Sequence, residues 1–365
     1  MPKNLLFVFG TRPEAIKMCP LILTLRKRHD VRVRVCVTGQ HRTLCDEVLE
    51  LFDVHPDFDL NIMKKHQTLE DITESVLLGA GAAIDSTTPE LVLVHGDTTT
   101  TLAAALAAFY RGVPVAHVEA GLRTYNVQSP YPEEFNRRAV SLVASMHFAP
   151  TARAAKNLVR EGIDAERVFV TGNTVVDALS YTYRKNYSSP LLDMVGDRRL
   201  ILVTAHRRES RGEPMLRIFE TVKRLARERE DVFFVCPLHP APEVQEAADL
   251  LRGEPRIHLA PPLGLLDFHN LLARSYLILS DSGGVQEEAL SYGVPVLVTR
   301  ERTERPEGIE TGGLRLVGSD EARIYTEVCR LLDDRAEYER MKCPYNPFGD
   351  GHAAERIADI IGKVI

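Results

Sequence analysis

Three acidic residues that follow or adjoin apolar segments are the first candidates for chemistry. Asp97 and Glu119 each come directly after a short apolar run, and Glu133 begins a helical pattern behind the proline-bounded segment SPYPEE. If these carboxyl groups converge, mutual repulsion and burial would raise the pKa of at least one toward neutrality, as general acid–base catalysis requires. Simpler roles compete, because Asp97 could cap the next helix and Glu133 could be an ordinary carboxylate at a helix N-terminus.

A second group of residues could bind phosphate. Ser282, Gly283 and Gly284 open a helical pattern after an apolar run, where small residues and free backbone N–H groups favour an anion. Glu288 follows one turn later and could accept hydrogen bonds from ribose hydroxyls. An ordinary serine-capped helix is the alternative. The basic residues that follow other apolar runs, and could hold a pyrophosphate rather than form a solvated face, are Arg12, Lys17, His206, Arg207 and Arg305.

Familiar cofactor motifs are missing from these loops. Gly-x-Gly-x-x-Gly does not follow any apolar run, and HGDTTTT lacks the lysine and the second glycine of a Walker A loop. His95 and His117, with the neighbouring carboxylates, are conceivable metal ligands, but a histidine at the end of a buried strand is more often a core residue. We therefore expect no metal ion and no nicotinamide, flavin or other cofactor.

The elements that must position these residues are short apolar runs alternating with longer helical patterns. The runs are rich in Val, Leu and Ile without alternation, as in parallel strands covered on both faces. Candidate strands are Leu5–Phe9, Val31–Val37, Leu91–His95, Val115–Val118, Val168–Val170, Leu200–Thr204, Val232–Cys236, Ile257–Leu259, Tyr276–Ser280 and Pro295–Val298. Candidate helices include 68–84, 99–110, 133–146, 212–228 and 320–333. This order predicts an α/β protein with doubly wound parallel sheets.

Length indicates two domains. At 365 residues the chain exceeds one ordinary core, and its periodicity is lost around 178–198. Polar loops follow the strands of both halves, and ligands bind beyond the carboxyl ends of such strands. We expect two Rossmann-like domains facing a central cleft: 1–175 with the acid–base carboxylates, and 176–352 with the Ser-Gly-Gly phosphate site. A C-terminal helix over 353–365 is expected to pack on the first domain.

Composition excludes several classes of protein. A net charge of -6 argues against a coat for nucleic acid or an anionic membrane. Apolar runs are too short to span a bilayer, and the first is too short for a signal peptide. The six cysteines show no Cys-x-x-Cys, which argues against a disulfide scaffold or a zinc ribbon. We expect a cytoplasmic protein whose partner is neither nucleic acid nor a membrane.

Taken together, the loop segments resemble the non-hydrolysing UDP-N-acetylglucosamine 2-epimerases. The resemblance spans nearly the whole chain in order. Its segments are GTRPEAIKMCPL, TGQHR, LVHGDTTTTLA, HVEAGLRT, SPYPEEFNRR, TGNTVVDAL, LVTAHRRES, DSGGVQEEA, RTERPE and NPFGDG. It implies a two-domain fold of the GT-B type, a homodimer and no metal or nicotinamide. The second domain would then bind UDP.

The resemblance also implies a reaction and its residues. Members interconvert UDP-N-acetylglucosamine and UDP-N-acetylmannosamine, a precursor of bacterial surface polysaccharides, by eliminating UDP to 2-acetamidoglucal and adding it back. This chemistry needs a base, an acid on the other face and cations for the pyrophosphate. The implied catalytic set is Asp97, Glu119, Glu133 and His206, with the face served by each carboxylate left open. The implied UDP-sugar ligands are Arg12, Lys17, Ser282, Gly283, Gly284, Glu288, Arg305 and, beside the uracil, Phe268 (which could instead be a core aromatic).

Some members bind a second UDP-N-acetylglucosamine next to the active site as an activator. Gln40, Glu133, Arg207 and His239 match positions used there. Two positions differ from the family: Thr43 replaces a glutamine, and His66 replaces an arginine. The segment LHPAP around His239 also differs from the family's VHLNP or VHMNP.

Other functions remain open on the sequence. A hydrolysing epimerase would release UDP and free N-acetylmannosamine, and a GT-B glycosyltransferase would transfer the sugar to an acceptor. A metal-dependent phosphohydrolase would use the His/Asp loops and lose activity on chelation. A UDP-sugar sensor would retain its function, which is binding, after Asp97→Asn.

Overall fold

The computed structural model describes residues 2–39, 42–64, 67–205, 207, 210–342 and 344–365, without the side chains of Arg42 and Thr43. Two compact units are formed, unit 1 from Met1–Tyr181 with Phe348–Ile365 and unit 2 from Thr182–Pro347. The first boundary lies at Tyr181 rather than at the expected residue 175, because the helix Thr174–Thr182 runs across residue 175 and lies almost wholly in unit 1. The return to unit 1 comes before 353, because Asn173 N–H donates to Phe348 O at 2.6 Å.

Unit 1 is built on a seven-stranded sheet in which every pair of neighbours is parallel. Its strands are β1 (Lys3–Phe9), β2 (Val31–Val37), β3 (Phe58–Asp59), β4 (Leu91–His95), β5 (Val115–Val118), β6 (Met146–Ala149) and β7 (Val168–Val170). The order is β3-β2-β1-β4-β5-β6-β7, with Phe7 in register with Val35 on one side and Leu93 on the other. β4 is buried throughout, which explains its unbroken apolar run.

Helices cover the sheet of unit 1. They are α1 (Arg12–Arg26), α2 (Arg42–Leu51), α3 (Leu69–Thr87), α4 (Thr99–Tyr110), α5 (Glu133–Val143), α6 (Ala152–Arg160), α7 (Thr174–Thr182) and the C-terminal α16 (Ala353–Val364), with a 3₁₀ turn at Ala165–Arg167. α16 packs against α1. Its N-terminus is capped from α7, where the buried Asp177 accepts hydrogen bonds from Ala353 N (3.2 Å) and Ala354 N (2.8 Å).

Unit 2 repeats the architecture with six parallel strands in the order β10-β9-β8-β11-β12-β13. The strands are β8 (Arg199–Thr204), β9 (Val232–Pro237), β10 (Ile257–Ala260), β11 (Leu277–Ser280), β12 (Val296–Val298) and β13 (Leu314–Leu316). The helices are α8 (Pro190–Val195), α9 (Glu213–Glu228), α10 (Pro242–Ala248), α11 (Leu265–Arg274), α12 (Gly283–Glu288), α13 (Pro306–Glu310), α14 (Glu321–Asp333) and α15 (Arg335–Met341), with 3₁₀ turns at Asp249–Leu251 and Ala289–Tyr292.

Both sheets have a topological switch point, where the strand order reverses. It falls between β1 and β4 in unit 1 and between β8 and β11 in unit 2. In doubly wound sheets, ligands bind beyond the carboxyl ends of the strands at this point. The prediction of an α/β chain with two Rossmann-like parallel units is confirmed.

Some element predictions were wrong. The expected helix 133–146 ends at Val143, because Ala144 has an extended backbone (φ −68°, ψ 138°), and β6 follows as a buried central strand. No glycine or proline separates this helix from the strand, so the sequence gives no signal for the change. β3 and β13 are two and three residues long, too short to show a period.

Candidate active site

Glu119 lies at the carboxyl end of β5 and is held by two other segments. Its backbone is left-handed, with φ 62°, and its side chain is only 8% exposed. Its Oε2 forms an ion pair with Lys17 of α1 and accepts a 2.7 Å hydrogen bond from Asn173 Nδ2, in the loop after β7. A left-handed non-glycine residue costs about 1–3 kcal/mol, and such residues concentrate at functional sites. The contacts with Lys17 and Asn173 keep this carboxylate in place.

His95 and His117 are neutral residues in the core beneath this carboxylate. His95 Nε2 lies 3.8 Å from Glu119 Oε2, and burial lowers the pKa of His95 to about 4. His117 Nε2 lies 2.7 Å from Gly96 O, and burial lowers the pKa of His117 to about 3. Lys17 is therefore the cation that balances Glu119. Among the described residues, no group of three or more His, Cys, Asp or Glu side chains could hold a metal ion.

Asp97 follows β4 and is paired with α5. Its Oδ2 forms an ion pair with Arg137, and its backbone oxygen accepts a 2.9 Å hydrogen bond from Asn136 Nδ2. The cap of α4 is the next residue, Thr98, whose hydroxyl accepts from Thr101 N at 3.0 Å. Asp97 is therefore not the helix cap, and its carboxylate is directed toward α5 instead.

Glu133, the first residue of α5, differs from its neighbour Glu134. Glu134 is fully buried and accepts hydrogen bonds from Thr124 N (3.0 Å) and Tyr125 N (2.9 Å), so it fixes the preceding loop. Glu133 is half-buried, and its Oε2 is a buried atom with no hydrogen-bond partner among the described residues. The structural role belongs to Glu134, which leaves an oxygen of Glu133 able to interact with a ligand.

The three carboxylates of unit 1 are thus unequally paired. Lys17 neutralises Glu119 and Arg137 neutralises Asp97, whereas no described ion pair engages Glu133. Arg12 begins α1 at the switch point of this sheet and is half-buried.

In unit 2, Ser282, Gly283 and Gly284 form the N-terminus of α12, directly beyond β11. Ser282 is in the N-cap position, but its side chain makes no capping hydrogen bond, so the ordinary serine-capped helix is not observed. A Cβ on Gly283 would lie 2.6 Å from an Arg305 guanidinium nitrogen, which explains why a glycine is needed there. The first turn of α12 therefore has close-packed backbone and no side-chain cap.

Arg305 is buried beside this helix between two carboxylates. Its Nε donates to Glu287 Oε1 at 2.6 Å, and its Nη1 forms an ion pair with Glu304. Burial raises the pKa of Glu304, but the attraction of Arg305, Arg300 and Arg207 is larger, and the pKa lies well below its usual range. The Arg305 guanidinium is thereby fixed against Gly283.

Glu288 and Phe268 lie on neighbouring elements of unit 2. Glu288 is buried, and its Oε2 lies 3.6 Å from Nε2 of the buried His269. The other ring nitrogen of His269 is 2.7 Å from the Thr182 hydroxyl. Phe268, on α11, is half-buried.

Besides Glu133, two residues that match the activator site, Arg207 and His239, are described. Arg207 follows β8; its N–H donates to the buried Asp281 at 2.9 Å, and its guanidinium lies 3.8 Å from Glu304. His239 follows the adjacent strand β9 and is exposed, with Nδ1 accepting from Ala241 N at 3.1 Å. The residues Gln40, His66 and His206 lie outside the described residues.

Sequence reasoning missed several residues that organise the site. Arg137 and Asn173 lie in the quoted segments SPYPEEFNRR and TGNTVVDAL, but nothing local indicates that they contact Asp97 and Glu119. Glu14 is three residues after Thr11, the spacing of a capping box, which was a usable signal.

Within the described part of the chain, no helix is long and apolar enough to cross a membrane.

Comparison with known proteins agrees with this arrangement. The family model of UDP-N-acetylglucosamine 2-epimerases matches residues 23–362. The UDP-N-acetylglucosamine 2-epimerase of Bacillus subtilis (strain 168) is 54% identical over 353 residues, which cover 96% of this chain and 93% of the relative.

Solved structures give the same result. The UDP-GlcNAc 2-epimerase from Neisseria meningitidis bound to UDP-GlcNAc is 46% identical, with a TM-score of 0.94 and coverage of 99% of this chain and 100% of that chain. The S. aureus MnaA–UDP co-structure is 49% identical, with a TM-score of 0.94 and coverage of 99% and 96%. The glycotransferase of kitacinnamycin, 14% identical with a TM-score of 0.66, shares the fold alone, as expected for a GT-B type. The chain belongs to the UDP-N-acetylglucosamine 2-epimerase family.

Proposed function

We propose that this protein is an isomerase that reversibly converts UDP-N-acetylglucosamine to UDP-N-acetylmannosamine for surface polysaccharide synthesis. Membership of the epimerase family supports the reaction, and the Neisseria meningitidis relative was solved with UDP-GlcNAc bound. The observation that carries the proposal is the pair of ion-paired carboxylates, Asp97 and Glu119, at the carboxyl edge of the unit 1 sheet. Carboxylates held in fixed positions suit proton transfer to and from a sugar carbon.

The proposed mechanism is elimination followed by re-addition. The C1–O bond to UDP breaks while a base removes the proton from C2, giving 2-acetamidoglucal and UDP. An acid on the opposite face then donates a proton to C2 as UDP adds back to C1, and the base and the acid return to their starting protonation states by exchange with solvent, so atoms and charge balance. Asp97, Glu119, Glu133 and His206 are the proposed acid–base set. Of the three carboxylates, Glu133 is distinguished by a buried oxygen that has no hydrogen-bond partner among the described residues.

Unit 2 is proposed to bind the UDP moiety. The uncapped first turn of α12 offers backbone N–H groups to a phosphate, and Glu288 is placed one turn later for the ribose hydroxyls. Phe268, half-buried on α11, would contact the uracil, and Arg305 holds Gly283 where the phosphate approaches. Arg12, Lys17 and His206 would complete the charge balance of the leaving pyrophosphate.

One experiment tests the reaction against its nearest alternatives. Purified protein is incubated with UDP-N-acetylglucosamine in deuterated water, and the products are followed by NMR. We expect UDP-N-acetylmannosamine with deuterium at C2 in both sugars, and activity that survives chelation. Stoichiometric free UDP with N-acetylmannosamine would instead establish a hydrolysing epimerase. Absence of both the product and the C2 exchange would refute the proposal.

Exposed apolar side chains in unit 1 support a homodimer. α3 packs against α4, and α4 against α5, so these helices form one continuous layer. On α5, Phe135 and Leu142 are 55% and 80% exposed and, seven residues apart, share a helix face. Further exposed apolar residues in the layer are Leu78, Phe109 and Tyr110. Several large apolar side chains exposed on one layer of helices are typical of an interface.

Light scattering after size exclusion tests the homodimer. Leu142→Glu should shift the mass from two chains toward one, whereas the control Val170→Glu, at an exposed residue on the edge strand β7, should not. A monomeric wild-type protein would exclude the dimer.

A second UDP-N-acetylglucosamine is the proposed activator. Arg207 and His239 follow adjacent strands of unit 2, consistent with one shared site. We expect a trace of UDP-N-acetylglucosamine to accelerate the conversion of UDP-N-acetylmannosamine, and Arg207→Ala to abolish the acceleration.

A cytoplasmic location is also proposed. The five described cysteines form no disulfide with one another, and four of them are buried, as suits a reducing compartment; cell fractionation tests the location.

A further inference from the structure

Glu14 is a buried carboxylate at the switch point of the unit 1 sheet. It lies in the first turn of α1 and is 2% exposed. The two strands that flank the switch point, β1 and β4, are hydrogen-bonded neighbours. The loop after β1 leads to Arg12, and the loop after β4 contains Asp97. Glu14 contacts both loops.

One oxygen of Glu14 holds the loop after β1. Oε2 accepts hydrogen bonds from Gly10 N (3.1 Å), Thr11 N (2.8 Å) and Thr11 Oγ1 (2.8 Å). Gly10 has no room for a side chain, because a Cβ there would lie 1.8 Å from Thr38 Oγ1. The backbone immediately before Arg12 is therefore fixed by close packing and by the Glu14 carboxylate.

The other oxygen holds the loop after β4. Oε1 is 2.8 Å from Thr98 Oγ1 and 3.0 Å from Thr101 Oγ1. Thr98 already accepts a hydrogen bond from Thr101 N, so its hydroxyl hydrogen is free to be donated to Glu14. Thr98 is the residue directly after Asp97. The Glu14 side chain thus connects Thr11, which precedes the proposed pyrophosphate ligand Arg12, to Thr98, which follows the proposed acid–base residue Asp97.

A helix cap alone does not explain these contacts. Asp71 occupies the same position in α3 and accepts from Thr68 N (2.9 Å) and Thr68 Oγ1 (2.9 Å), but it is exposed and reaches no second loop in the described part of the chain. A capping-box carboxylate needs neither burial nor a distant partner. Glu14 has both, and burying a carboxylate is costly unless its hydrogen bonds are satisfied.

We propose that Glu14 is a positioning residue for the epimerase reaction, tying the loop after β1 to the loop after β4 so that Arg12 and Asp97 keep a fixed relative placement. This inference rests on the proposed function for its catalytic readout. The described donors to Glu14 are two amides and three hydroxyls, and none of them is a cation. The tie therefore depends on hydrogen bonds and shape rather than on charge.

A glutamine side chain can reproduce the tie, and an alanine cannot. In the Glu14→Gln variant, the amide oxygen would accept from the Gly10–Thr11 loop, while the NH₂ group would donate to the Thr98 and Thr101 hydroxyls. Burial raises the pKa of Glu14, partly offset by its hydrogen bonds, which is consistent with a neutral group being accepted at this position. Glu14→Gln should therefore keep kcat within about threefold of wild type. Glu14→Ala should lower kcat by about ten- to a hundredfold, because misplacing catalytic groups by about 1 Å has effects of that size.

The experiment combines kinetics with hydrogen exchange. The kcat, the KM and the rate of C2 exchange are measured for Glu14→Ala, Glu14→Gln, the double variant Thr98→Val/Thr101→Val and the triple combination with Glu14→Ala. Asp71→Ala is the matched capping-box control and should leave kcat unchanged. We expect kcat to fall in the double variant, and the triple variant to be no slower than the slower of its parents, because all remove one tie. Amide exchange should rise in both the 9–13 and 96–102 segments of Glu14→Ala.

Each outcome decides the proposal. A Glu14→Ala protein with wild-type kcat would show a role in folding alone, and a Glu14→Gln protein as slow as Glu14→Ala would show that charge is required. A triple variant whose loss of log kcat equals the sum of the losses in its two parents would also refute the proposal, because independent effects add. Should Glu14→Ala fail to fold, the Thr98→Val/Thr101→Val variant decides by its kcat together with amide exchange in the 9–13 segment, because that variant also removes the cap of α4, whose loss alone would not raise exchange in 9–13. Inactive wild-type protein would refute the proposed function instead, and the exchange measurement would still test the tie.

Discussion

Units 1 and 2 have the same strand order around their switch points but differ in where their ion pairs lie. In unit 1, two carboxylates at the sheet edge, Asp97 and Glu119, are paired with Arg137 and Lys17, and Arg137 also contacts the buried Glu134 at 3.4 Å. In unit 2, the cation Arg305 is buried between Glu287 and Glu304 beside the N-terminus of α12. The same strand order therefore places acidic groups at the edge of the unit 1 sheet. In unit 2 it places a helix N-terminus that is held by Arg305 and its two carboxylates. The difference matches a division between proton transfer and nucleotide binding.

The ties at the two switch points also differ. In unit 1, Glu14 connects the loops by accepting from hydroxyls and amides of both. In unit 2, Asp281, in the loop after β11, accepts from Arg207 N in the loop after β8 at 2.9 Å. Both are buried carboxylates that contact the loop beyond the neighbouring strand. Both units thus have a buried carboxylate that connects two loops where the strand order reverses. Glu14 follows the first of the two strands at its switch point, whereas Asp281 follows the second.

The largest expected effect is on catalysis by unit 1. Asp97→Asn or Glu119→Gln should lower kcat by about 10²–10⁴, the range for removing one proton-transfer group. UDP affinity, measured by calorimetry, should stay near wild type, because unit 2 is proposed to bind UDP. The matched control is Asp57→Asn, which removes an ion pair of unit 1 with Arg34 outside the site and should leave kcat unchanged. Wild-type kcat in both variants would break the proposed division of labour.

The next effect concerns the stability of unit 2. Arg305→Ala removes the buried cation that pairs with Glu287, while Glu304 keeps Arg300 at 2.9 Å, so we expect a loss of about 3–5 kcal/mol in the unfolding free energy of unit 2. Urea unfolding followed by hydrogen exchange in unit 2 peptides measures it. Arg252→Ala, which breaks the exposed pair with Asp249, is the control and should change little. Equal effects of the two variants would contradict the structural role of Arg305.

Acid should weaken unit 1 before unit 2. Burial lowers the pKa of His95 and His147 to about 4 and that of His117 to about 3, below about 6.5 in the unfolded chain. Between these values the unfolded chain binds protons that the folded chain does not, so the three histidines lower stability as the pH falls, by about 1.4 kcal/mol per pH unit each, whereas Glu14 and Asp177, whose pKa values are raised by burial, act in the opposite direction. The lowered pKa of Glu304 in unit 2 has no such effect between pH 6.5 and 5, because Glu304 stays ionised in both states.

Unfolding at pH 7 and pH 5 checks this difference. Exchange protection should fall in unit 1 peptides more than in those of unit 2. In the His147→Leu variant, the unfolding free energy of unit 1 should change less steeply with pH, because one proton fewer is bound on unfolding. Parallel losses in both units would show that the buried histidines are not the cause.

The smallest effect concerns the two helix caps. Asp177→Ala removes the acceptor of Ala353 N and Ala354 N, and should destabilise α16 by about 1–2 kcal/mol. Asp320→Ala removes the exposed local cap of α14 in unit 2, where Asp320 accepts from Arg323 N at 2.8 Å, and should cost less. Limited proteolysis at the C-terminus and thermal unfolding compare them. A larger effect at Asp320 would reverse the expected ranking.

Local pattern was sufficient to predict much of the fold and part of the site. Buried parallel strands such as β4 are unbroken apolar runs, and residues directly after them, Asp97 and Glu119, were identifiable as candidates. β6 was missed because MHFA adjoins an amphipathic helix without a turn residue. Lys17 was expected to bind phosphate, but its pairing with Glu119 depends on packing between residues far apart in the chain. Contacts such as Asp97–Arg137 require the folded geometry, because no local period relates the two residues.

The return of the chain to unit 1 affects the order in which the protein is completed during synthesis. Unit 2 lies wholly between the two parts of unit 1 in the sequence, and α16 is made after unit 2. The ribosome therefore finishes unit 2 while the apolar face of α1 still lacks α16 and while Asp177 still lacks the amides of Ala353 and Ala354. Because domains fold as they emerge, unit 1 remains incomplete until α16 has been made. A protein truncated before α16 would retain a complete unit 2 and an incomplete unit 1.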